Sequence, residues 1–122
     1  MSEPPTVSLK LPRGARIKAA RDFARARAQG KRIACGCLIL NWLPAASTRV
    51  GIVTGRKLGK AVTRSRARRL LRESFRLHQH ELAQPVEVVL VGRQSLAQKK
   101  FAEVESDFLS ALRQARLLKR SA

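Results

Sequence analysis

The chain has 122 residues, and its charge balance is strongly uneven, because 26 Lys and Arg against 8 Asp and Glu give a formal net charge of +18. The length suits a single domain, and an apolar content of 44% is too high for a disordered basic tail. No apolar run approaches the roughly 18–20 residues that span a bilayer. Such an excess of cations opposes compaction, so it favours a phosphate-rich partner that neutralises it.

The two ends of the chain differ from its middle in composition. Residues 1–12 contain three prolines and show no periodicity, so we expect a flexible lead-in to a single domain at 13–118. Residues 119–122 would form a short basic tail. The N-terminal segment lacks the apolar core of a signal peptide, and there are only two cysteines. We therefore expect a cytoplasmic protein with free thiols.

The first half of the domain predicts one helix and two strands. Apolar residues at helical spacing indicate a short helix at 16–29, with Gly30 at the position of a cap. The apolar run at 33–43 suits a single strand, and residues 48–54 suit a second one. A turn at 44–47 would join these two strands in a hairpin.

The second half predicts a helix, a strand and a helix. A basic helix runs from 64 to about 82, and Pro85 ends any continuation. The nearly continuous apolar run at 86–91 is typical of a central strand, and a last helix is predicted at 99–117. The order α-β-β-α-β-α predicts an α+β fold with helices on a small central sheet, in which the basic helix is the crossover.

The stretch from Arg56 to Arg76 is the most informative part of the chain, because nine of its 21 residues are Lys or Arg. On a helix, the arginines at 64, 68, 72 and 76 form a ridge on one side. Its apolar residues share the other side: Ala67, Leu70, Leu71, Phe75 and Leu82. Like charges four apart destabilise an isolated helix by about 0.2–0.5 kcal/mol per pair. Folding gives no reason for this ridge, so we predict that it binds nucleic acid.

A loop flanked by glycines, G-R-K-L-G-K at 55–60, precedes the basic helix. Glycines let backbone amides approach phosphates, and the N-terminus of a following helix adds a favourable dipole. The spacing departs from the Walker pattern G-x-x-x-x-G-K-[ST]. A contact with a phosphate backbone is therefore favoured over a nucleotide-binding site.

Two cysteines and two histidines are candidate metal ligands. Cys35 and Cys37 would share one face of a strand and, with His78 and His80, offer four possible ligands for zinc. Neither C-x-C nor H-x-H matches the usual spacing of structural zinc sites. We interpret the cysteines as small core residues, and we predict no metal bound by the protein.

Three acidic residues near the start of the last helix, Glu103, Glu105 and Asp107, are candidate ligands of a catalytic metal. A metal-dependent nuclease needs carboxylates that converge, whereas these diverge, although Glu103 and Asp107 share a side. Acidic residues near a helix start also stabilise the helix dipole without any chemistry. We therefore expect a binding protein without catalytic residues of its own, with an intrinsic nuclease as the alternative.

The segment from Arg49 to Glu73 resembles a known family signature. It has the sequence R-V-G-I-V-T-G-R-K-L-G-K-A-V-T-R-S-R-A-R-R-L-L-R-E. The signature of the bacterial ribonuclease P protein component is approximately R-x-G-x-x-x-[ST]-K-K-x-G-x-A-V-x-R-N-R-x-K-R-x-x-R-E. The resemblance also covers the D-F pair at 22–23, Gly30 and the V-L-V-G-R run at 89–93.

The resemblance implies a partner and a reaction. The protein would bind a large catalytic RNA, one protein per RNA, and that RNA with Mg²⁺ would release the 5′ leader of precursor tRNA by hydrolysing one phosphodiester bond. The implied fold is α-β-β-β-α-β-α with a left-handed β-α-β crossover, one strand more than the periodicity gives. A ribosomal-type or general RNA-binding protein without a role in cleavage remains the alternative from charge alone.

The resemblance also implies two sets of site residues. Those that would contact the RNA subunit or substrate are Arg56, Lys57, Lys60, Arg64, Ser65, Arg66, Arg68, Arg69, Arg72 and Arg76. Those of the leader cleft, between the first helix and the sheet, are Phe23, Arg27, Asn41 and Arg93. Ser65 replaces the family's Asn, and Arg27 and Asn41 stand where aromatic residues are usual. The cleft is therefore expected to stack fewer bases and to depend more on charge.

Overall fold

The structure is a computed structural model that describes Arg16, Ile17 and residues 20–119. These residues form three α-helices and four strands: α1 (Ala20–Gln29), β1 (Lys31–Cys35), β2 (Leu38–Pro44), β3 (Arg49–Thr54), α2 (Ala61–His78), β4 (Val86–Gly92) and α3 (Phe101–Gln114). Three short 3-10 turns lie between them, at Arg56–Leu58, Gln79–Glu81 and Gln94–Gln98. The predicted α+β class is confirmed.

The four strands form one mixed sheet in the order β1-β2-β4-β3. β2 is antiparallel to both β1 and β4, whereas β3 is parallel to β4, so α2 is the crossover between two adjacent parallel strands. The predicted hairpin between the strands at 33–43 and 48–54 is wrong, because β4 lies between β2 and β3 in the sheet. Apart from Glu87, β4 is apolar on both faces, and its place inside the sheet buries both. The handedness of the crossover stays a prediction.

The segment predicted as one strand at 33–43 is two strands, β1 and β2, which supplies the extra strand that the resemblance implies. The chain reverses at Gly36 and Cys37. Gly36 has a φ of +57°, a conformation that favours glycine. A Cβ there would also lie within 2.6 Å of all three carboxyl atoms of Asp107. The turn was missed because a single glycine interrupts an otherwise apolar run.

The helices are shorter than predicted. α1 begins four residues later than expected, because Arg16 forms a β-bridge with Val50 and the N–H of Ile17 donates to the Val50 carbonyl at 2.8 Å. α2 ends at His78, so Leu82 lies beyond it, and α3 is shorter than the predicted 99–117 at both ends. The residues at which these helices begin and end depend on local hydrogen bonds, which cannot be inferred from side-chain periodicity.

The helices cover the two faces of the sheet unequally. α2 and α3 pack on one face, where they form the main core with the sheet, and the rings of Phe75 and Phe108 meet edge to face at 6.4 Å. α1 packs on the other face. The cluster there has three buried residues among those described: Ile17, Ala26 and Val89. The attachment of α1 therefore depends less on apolar packing than that of the other helices.

The ends of the domain lie partly outside the described residues. This holds for the predicted lead-in at 1–12 and for all of the predicted basic tail except Lys119. Lys119 is fixed to the domain, because its N–H donates to the Glu81 carbonyl at 2.8 Å. Among the residues that the structure describes, none of the helices has the length and apolar content to cross a membrane.

Candidate nucleic-acid interface

α2 has an apolar side and a basic side, as its sequence predicts. Ala67, Leu71 and Phe75 are fully buried against the sheet and α3. Ser74 is also buried, and its hydroxyl donates to the Leu70 carbonyl at 3.0 Å, so no polar group is left unsatisfied there. The basic side faces away from this core.

Apart from Arg76, the arginines of that side have no carboxylate at ion-pair distance in the described part of the chain. Within 4.0 Å of their guanidinium nitrogens there is no carboxylate oxygen. We call this set the arginine flank; it consists of Arg64, Arg66, Arg68, Arg69 and Arg72. Because nothing within ion-pair distance neutralises them, these charges are available to an external polyanion.

Two members of the arginine flank are oriented by neutral groups, and a third has a buried nitrogen without a partner. Arg68 donates from Nη1 to Thr54 Oγ1 and from Nη2 to Ser65 Oγ, both at 3.0 Å. Arg66 donates to the Lys99 carbonyl at 2.7 Å. The Nε of Arg64 is buried without a hydrogen-bond partner among the described residues. Neutral partners fix a guanidinium without reducing its charge, so they orient it for a phosphate.

Arg76 differs from the flank. Its Nη2 and Nε donate to the two carboxylate oxygens of Glu73 at 2.7 and 3.0 Å. These hydrogen bonds are the main reason that the pKa of Glu73 lies below its usual value. The charge of Arg76 is thus partly neutralised, which makes it the least suited of the predicted RNA-binding arginines.

The glycine-flanked loop lies beside the start of α2. Residues Arg56–Leu58 form a 3-10 turn, Leu58 is buried, and the side chains of Arg56, Lys57 and Lys60 are exposed. Gly59 has a φ of +126°, which again favours glycine. The loop therefore adds three cations next to the helix N-terminus, where anions are favoured. Its contact with a phosphate backbone stays a prediction.

Three adjoining cavities form a groove beside the arginine flank. A cavity of about 500 Å³ is lined by Phe23, Ala24, Arg27, Ile52, Val53, Thr54 and Arg68. A smaller one of about 130 Å³ shares Phe23, Ile52 and Arg68 with it and adds Arg16 and Arg72. A third of about 590 Å³ shares Val53 and reaches Arg56, Lys57, Val91 and Arg93. We call the three together the basic groove; it has an apolar floor and cationic edges.

The ring of Phe23 lies directly on β3 because residue 51 is glycine. A Cβ at Gly51 would lie 2.5 Å from Cε1 and 2.7 Å from Cζ of Phe23. Any other residue would therefore push the ring, and α1 with it, away from the sheet. In the sequence, the only indication of this close contact is the glycine of the R-x-G pattern.

The structure brings three of the four predicted cleft residues to the basic groove. Phe23, Arg27 and Arg93 line it. Asn41 does not, because it lies in the sheet interior and is only 4% exposed. Trp42 is buried on the opposite face, in the main core, as the strand alternation predicts. Thr54 was missed, because the edge position of β3 does not follow from local sequence.

The candidate metal ligands have other partners. Cys37 is buried in the turn, where its N–H donates to Asp107 at 2.9 Å; burial, with Asp107, raises the pKa of its thiol to about 12. Cys35 ends β1 and accepts from Gln114, so the expectation of two thiols on one strand face is wrong. His78 contacts the carboxylates of Glu81 and Glu105 and neither cysteine. Within the described ranges, no three such groups could hold a metal ion.

The three acids of α3 point to three different partners. Glu103 accepts from the N–H of Lys100 at 3.0 Å, which caps the helix. Glu105 contacts Nε2 of His78 at 2.8 Å, and Asp107 accepts from the turn at Cys37. The predicted divergence of these carboxylates is confirmed, and each of them has a structural role.

A small α+β domain with unpaired arginines along its crossover helix, beside a groove with an apolar floor, has the features of an RNA-binding protein. The family model described as Ribonuclease P matches residues 11–116 of the chain. The chain therefore belongs to the family of bacterial ribonuclease P protein components, which take part in tRNA 5′ processing together with an RNA subunit.

Individual relatives agree with the family match. The chain is 32% identical over 114 residues to the Ribonuclease P protein component of Syntrophomonas wolfei, covering 92% of this chain and 96% of that one. It is 36% identical over 108 residues to that of Symbiobacterium thermophilum, covering 86% and 94%. Both alignments span nearly the whole of each protein.

Solved structures show the same fold. The RNase P protein of Staphylococcus aureus superposes with a TM-score of 0.79 at 24% identity, covering 86% of this chain and 98% of that one. The RNase P protein of Thermotoga maritima gives 0.73 at 27% identity, covering 81% and 96%. The implied order of elements is thus found in both the chain and its relatives.

Proposed function

We propose that the basic groove holds the single-stranded 5′ leader of precursor tRNA while the arginine flank binds the catalytic RNA. One protein acts with one RNA in the cytoplasm. The RNA, with Mg²⁺, supplies the chemistry that hydrolyses the phosphodiester bond. The protein contributes binding and positive charge.

The composition of the basic groove supports its role in holding the leader. Proteins that bind single strands combine a cationic surface that follows the backbone with aromatic faces on which bases stack. In this groove the Phe23 ring offers such a face, and Arg27 and Arg68 lie beside it. A flexible single strand fits this surface better than a rigid duplex, because its bases can turn towards the floor.

One observation carries the assignment of the arginine flank to the RNA subunit. Five arginines lie on one side of α2, and none has a carboxylate within ion-pair distance in the described part of the chain. Their mutual repulsion is relieved when phosphates approach, and the released counterions favour binding. Each of the seven acids that the structure describes has its nearest polar partner outside the flank, and the one acid on α2, Glu73, is paired with Arg76.

The orientation of the acids supports catalysis by the RNA. A protein nuclease that uses metal ions needs carboxylates that converge on them. Those of α3 bind a helix cap, an imidazole and a turn instead. We therefore assign bond cleavage to the RNA subunit.

Reconstitution with the RNA subunit tests the proposal. At low Mg²⁺, added protein should increase cleavage of precursor tRNA and should bind precursor more tightly than mature tRNA. Phe23→Ala should reduce that preference about fivefold or more, since a stacked base contributes about 1–3 kcal/mol. Arg113→Ala, an exposed change on α3 outside the groove, is the matched control and should leave it unchanged.

Two results would contradict the proposal. Cleavage at low Mg²⁺ that is the same with and without protein would exclude the accessory role. Magnesium-dependent cleavage by protein free of RNA, abolished by Glu103→Ala or Asp107→Ala, would show an intrinsic nuclease instead.

A further inference from the structure

Four charged side chains connect α1 to the sheet on the face that carries the basic groove. Arg49 of β3 donates from Nη2 and Nε to Oε2 of Glu87 on β4, at 2.7 and 3.0 Å. Arg25 of α1 donates to the other oxygen of Glu87 at 2.5 Å. Asp22 of α1 lies 3.2 Å from Nη2 of Arg49. We call these four residues the α1 network.

Glu87 is the centre of the α1 network and is almost fully buried. Its side chain is 7% exposed, and it lies in the central strand between Val86 and Val88. A buried carboxylate is costly unless it is paired, and replacing a buried ion pair by apolar groups is often neutral or stabilising. Stability alone therefore gives no strong reason for this charge. A role in holding α1 at a fixed position on the sheet explains it better.

The α1 network acts next to the ring that forms the floor of the basic groove. Asp22 immediately precedes Phe23 on α1, and Arg49 lies two residues before Gly51 on β3. One ion pair and one ring contact thus join the same two elements side by side. Because the buried apolar cluster under α1 is small, the ion pairs add to the ring contact in holding α1 at the sheet.

We propose that Asp22 and Glu87 are positioning residues of the leader-binding groove, which hold α1 on the sheet through Arg25 and Arg49 so that Phe23 stays seated on Gly51. This inference rests on the proposed function of the groove. It assigns two acids, which themselves repel phosphate, to the affinity for an RNA strand.

The sign of the effect distinguishes positioning from charge. Removing an acid makes the surface more cationic, so electrostatics alone would strengthen binding of any RNA. Positioning requires the opposite for the leader, because a displaced Phe23 no longer stacks on a base. Glu87→Gln and Asp22→Asn keep the size of each side chain but remove its charge and turn one acceptor oxygen into an NH2 donor, which weakens the arginine contacts.

The experiment measures the ratio of Kd for mature tRNA to Kd for precursor tRNA, using holoenzyme assembled with the RNA subunit. We expect Glu87→Gln and Asp22→Asn each to reduce this leader preference about fivefold, as the loss of one stacked base would. Affinity for the RNA subunit should be unchanged or higher. A general loss of folded protein would weaken both Kd values and leave their ratio as it was.

The matched control is Glu73→Gln on α2. It removes a carboxylate from an arginine contact of the same length, 2.7 Å to Arg76, away from α1. Leader preference should not change in this variant. Asp22→Asn leaves both arginine contacts of Glu87 in place. It therefore still tests the positioning role if Glu87→Gln does not fold.

The outcomes separate the two proposals. Unchanged leader preference in Glu87→Gln and Asp22→Asn, together with a loss in Phe23→Ala, would overturn positioning and leave the proposed function intact. Unchanged preference in Phe23→Ala as well would mean that the groove does not bind the leader, and both proposals would fail.

Discussion

The arginine flank and the α1 network use the same side chain in opposite ways. Arg25 and Arg49 are held by Glu87 and Asp22 at distances of 2.5–3.6 Å. In the described part of the chain, none of the arginines of the flank has an acid within ion-pair distance. The hydrogen bonds that Arg66 and Arg68 make go to a backbone carbonyl and to hydroxyls. Under the proposed function, the interface is therefore marked by arginines without an acid beside them, and not by the number of arginines.

The difference also determines how the two regions respond to salt. Exposed charges are screened over about 10 Å at 0.1 M salt, whereas buried pairs are screened much less. Binding through the arginine flank should weaken steeply as salt rises. The α1 network should persist, since Glu87 is buried.

The largest expected effect separates the two sides of α2. Phe75→Ala should lower the free energy of unfolding by about 3–5 kcal/mol, because the ring is fully buried against Phe108. Urea denaturation measures this loss. Val62→Ala is the matched control on the same helix: Val62 is 81% exposed, so the change should stay within about 0.5 kcal/mol. Equal losses would show that the two sides are misassigned.

The next prediction concerns the flank itself. Replacing Arg64, Arg66 and Arg68 together by alanine should weaken binding of the RNA subunit by about a hundredfold and lower the log–log salt slope by about 2–3. Filter binding over a salt range of roughly 50 to 300 mM measures both the affinity and the slope. The double variant Arg113→Ala, Arg116→Ala, at exposed positions in the last turn of α3 and just after its end, should keep the wild-type slope. An unchanged slope in the flank variant would contradict binding of RNA phosphates by the arginine flank.

A smaller effect is expected at the seat of Phe23. Gly51→Ala should cost about 1–3 kcal/mol of stability, because its Cβ would overlap the ring, and it should also reduce leader preference. Thermal unfolding and the ratio of the two tRNA affinities measure these changes. Gly55→Ala is the control for stability, since no atom lies within 4 Å of a Cβ there. Full leader preference in Gly51→Ala would contradict the seating of the ring on β3.

The smallest effect is a dependence of stability on pH. Burial favours the neutral form of His78, but hydrogen bonds with Glu105 and Glu81 outweigh it and raise the pKa of the imidazole. The resulting stability is complete below the unfolded pKa of about 6.5 and is lost as pH rises through the higher folded pKa. His78→Gln should remove this dependence, about 1 kcal/mol or less, in urea titrations from acidic to alkaline pH.

His80→Gln is the control for that titration. His80 is 43% exposed, and its nearest carboxylate oxygen lies 3.9 Å away. It should leave the pH dependence of stability in place. A wild-type protein whose stability did not fall as pH rises would contradict the role of His78.

Local patterns predicted much of the fold. The helical spacing of Leu71 and Phe75 gave the buried side of α2, and the apolar run at 86–91 gave the central strand. Sequence alone did not give the neighbours of that strand, because the choice between a hairpin and a crossover depends on pairings far apart along the chain. The split of the first strand depended on one residue, Gly36.

The site was predictable to a similar extent. The excess of arginine around Arg66 indicated the flank, and the resemblance implied Phe23 and Arg93, which line the groove. The α1 network was not foreseen, because its members are far apart in sequence and meet only through the register of β3 and β4. A single charged residue, Glu87 in an otherwise apolar central strand, was the available signal.

The most direct measurement is modification of arginines with phenylglyoxal, read at each residue by mass spectrometry, with and without the RNA subunit. The account predicts that Arg66, Arg68 and Arg69 react in the free protein and are protected in the complex, while the exposed Arg113 reacts in both. The paired Arg49 should react slowly in either state. Equal reactivity of the arginine flank with and without RNA would contradict the claim that RNA phosphates neutralise it.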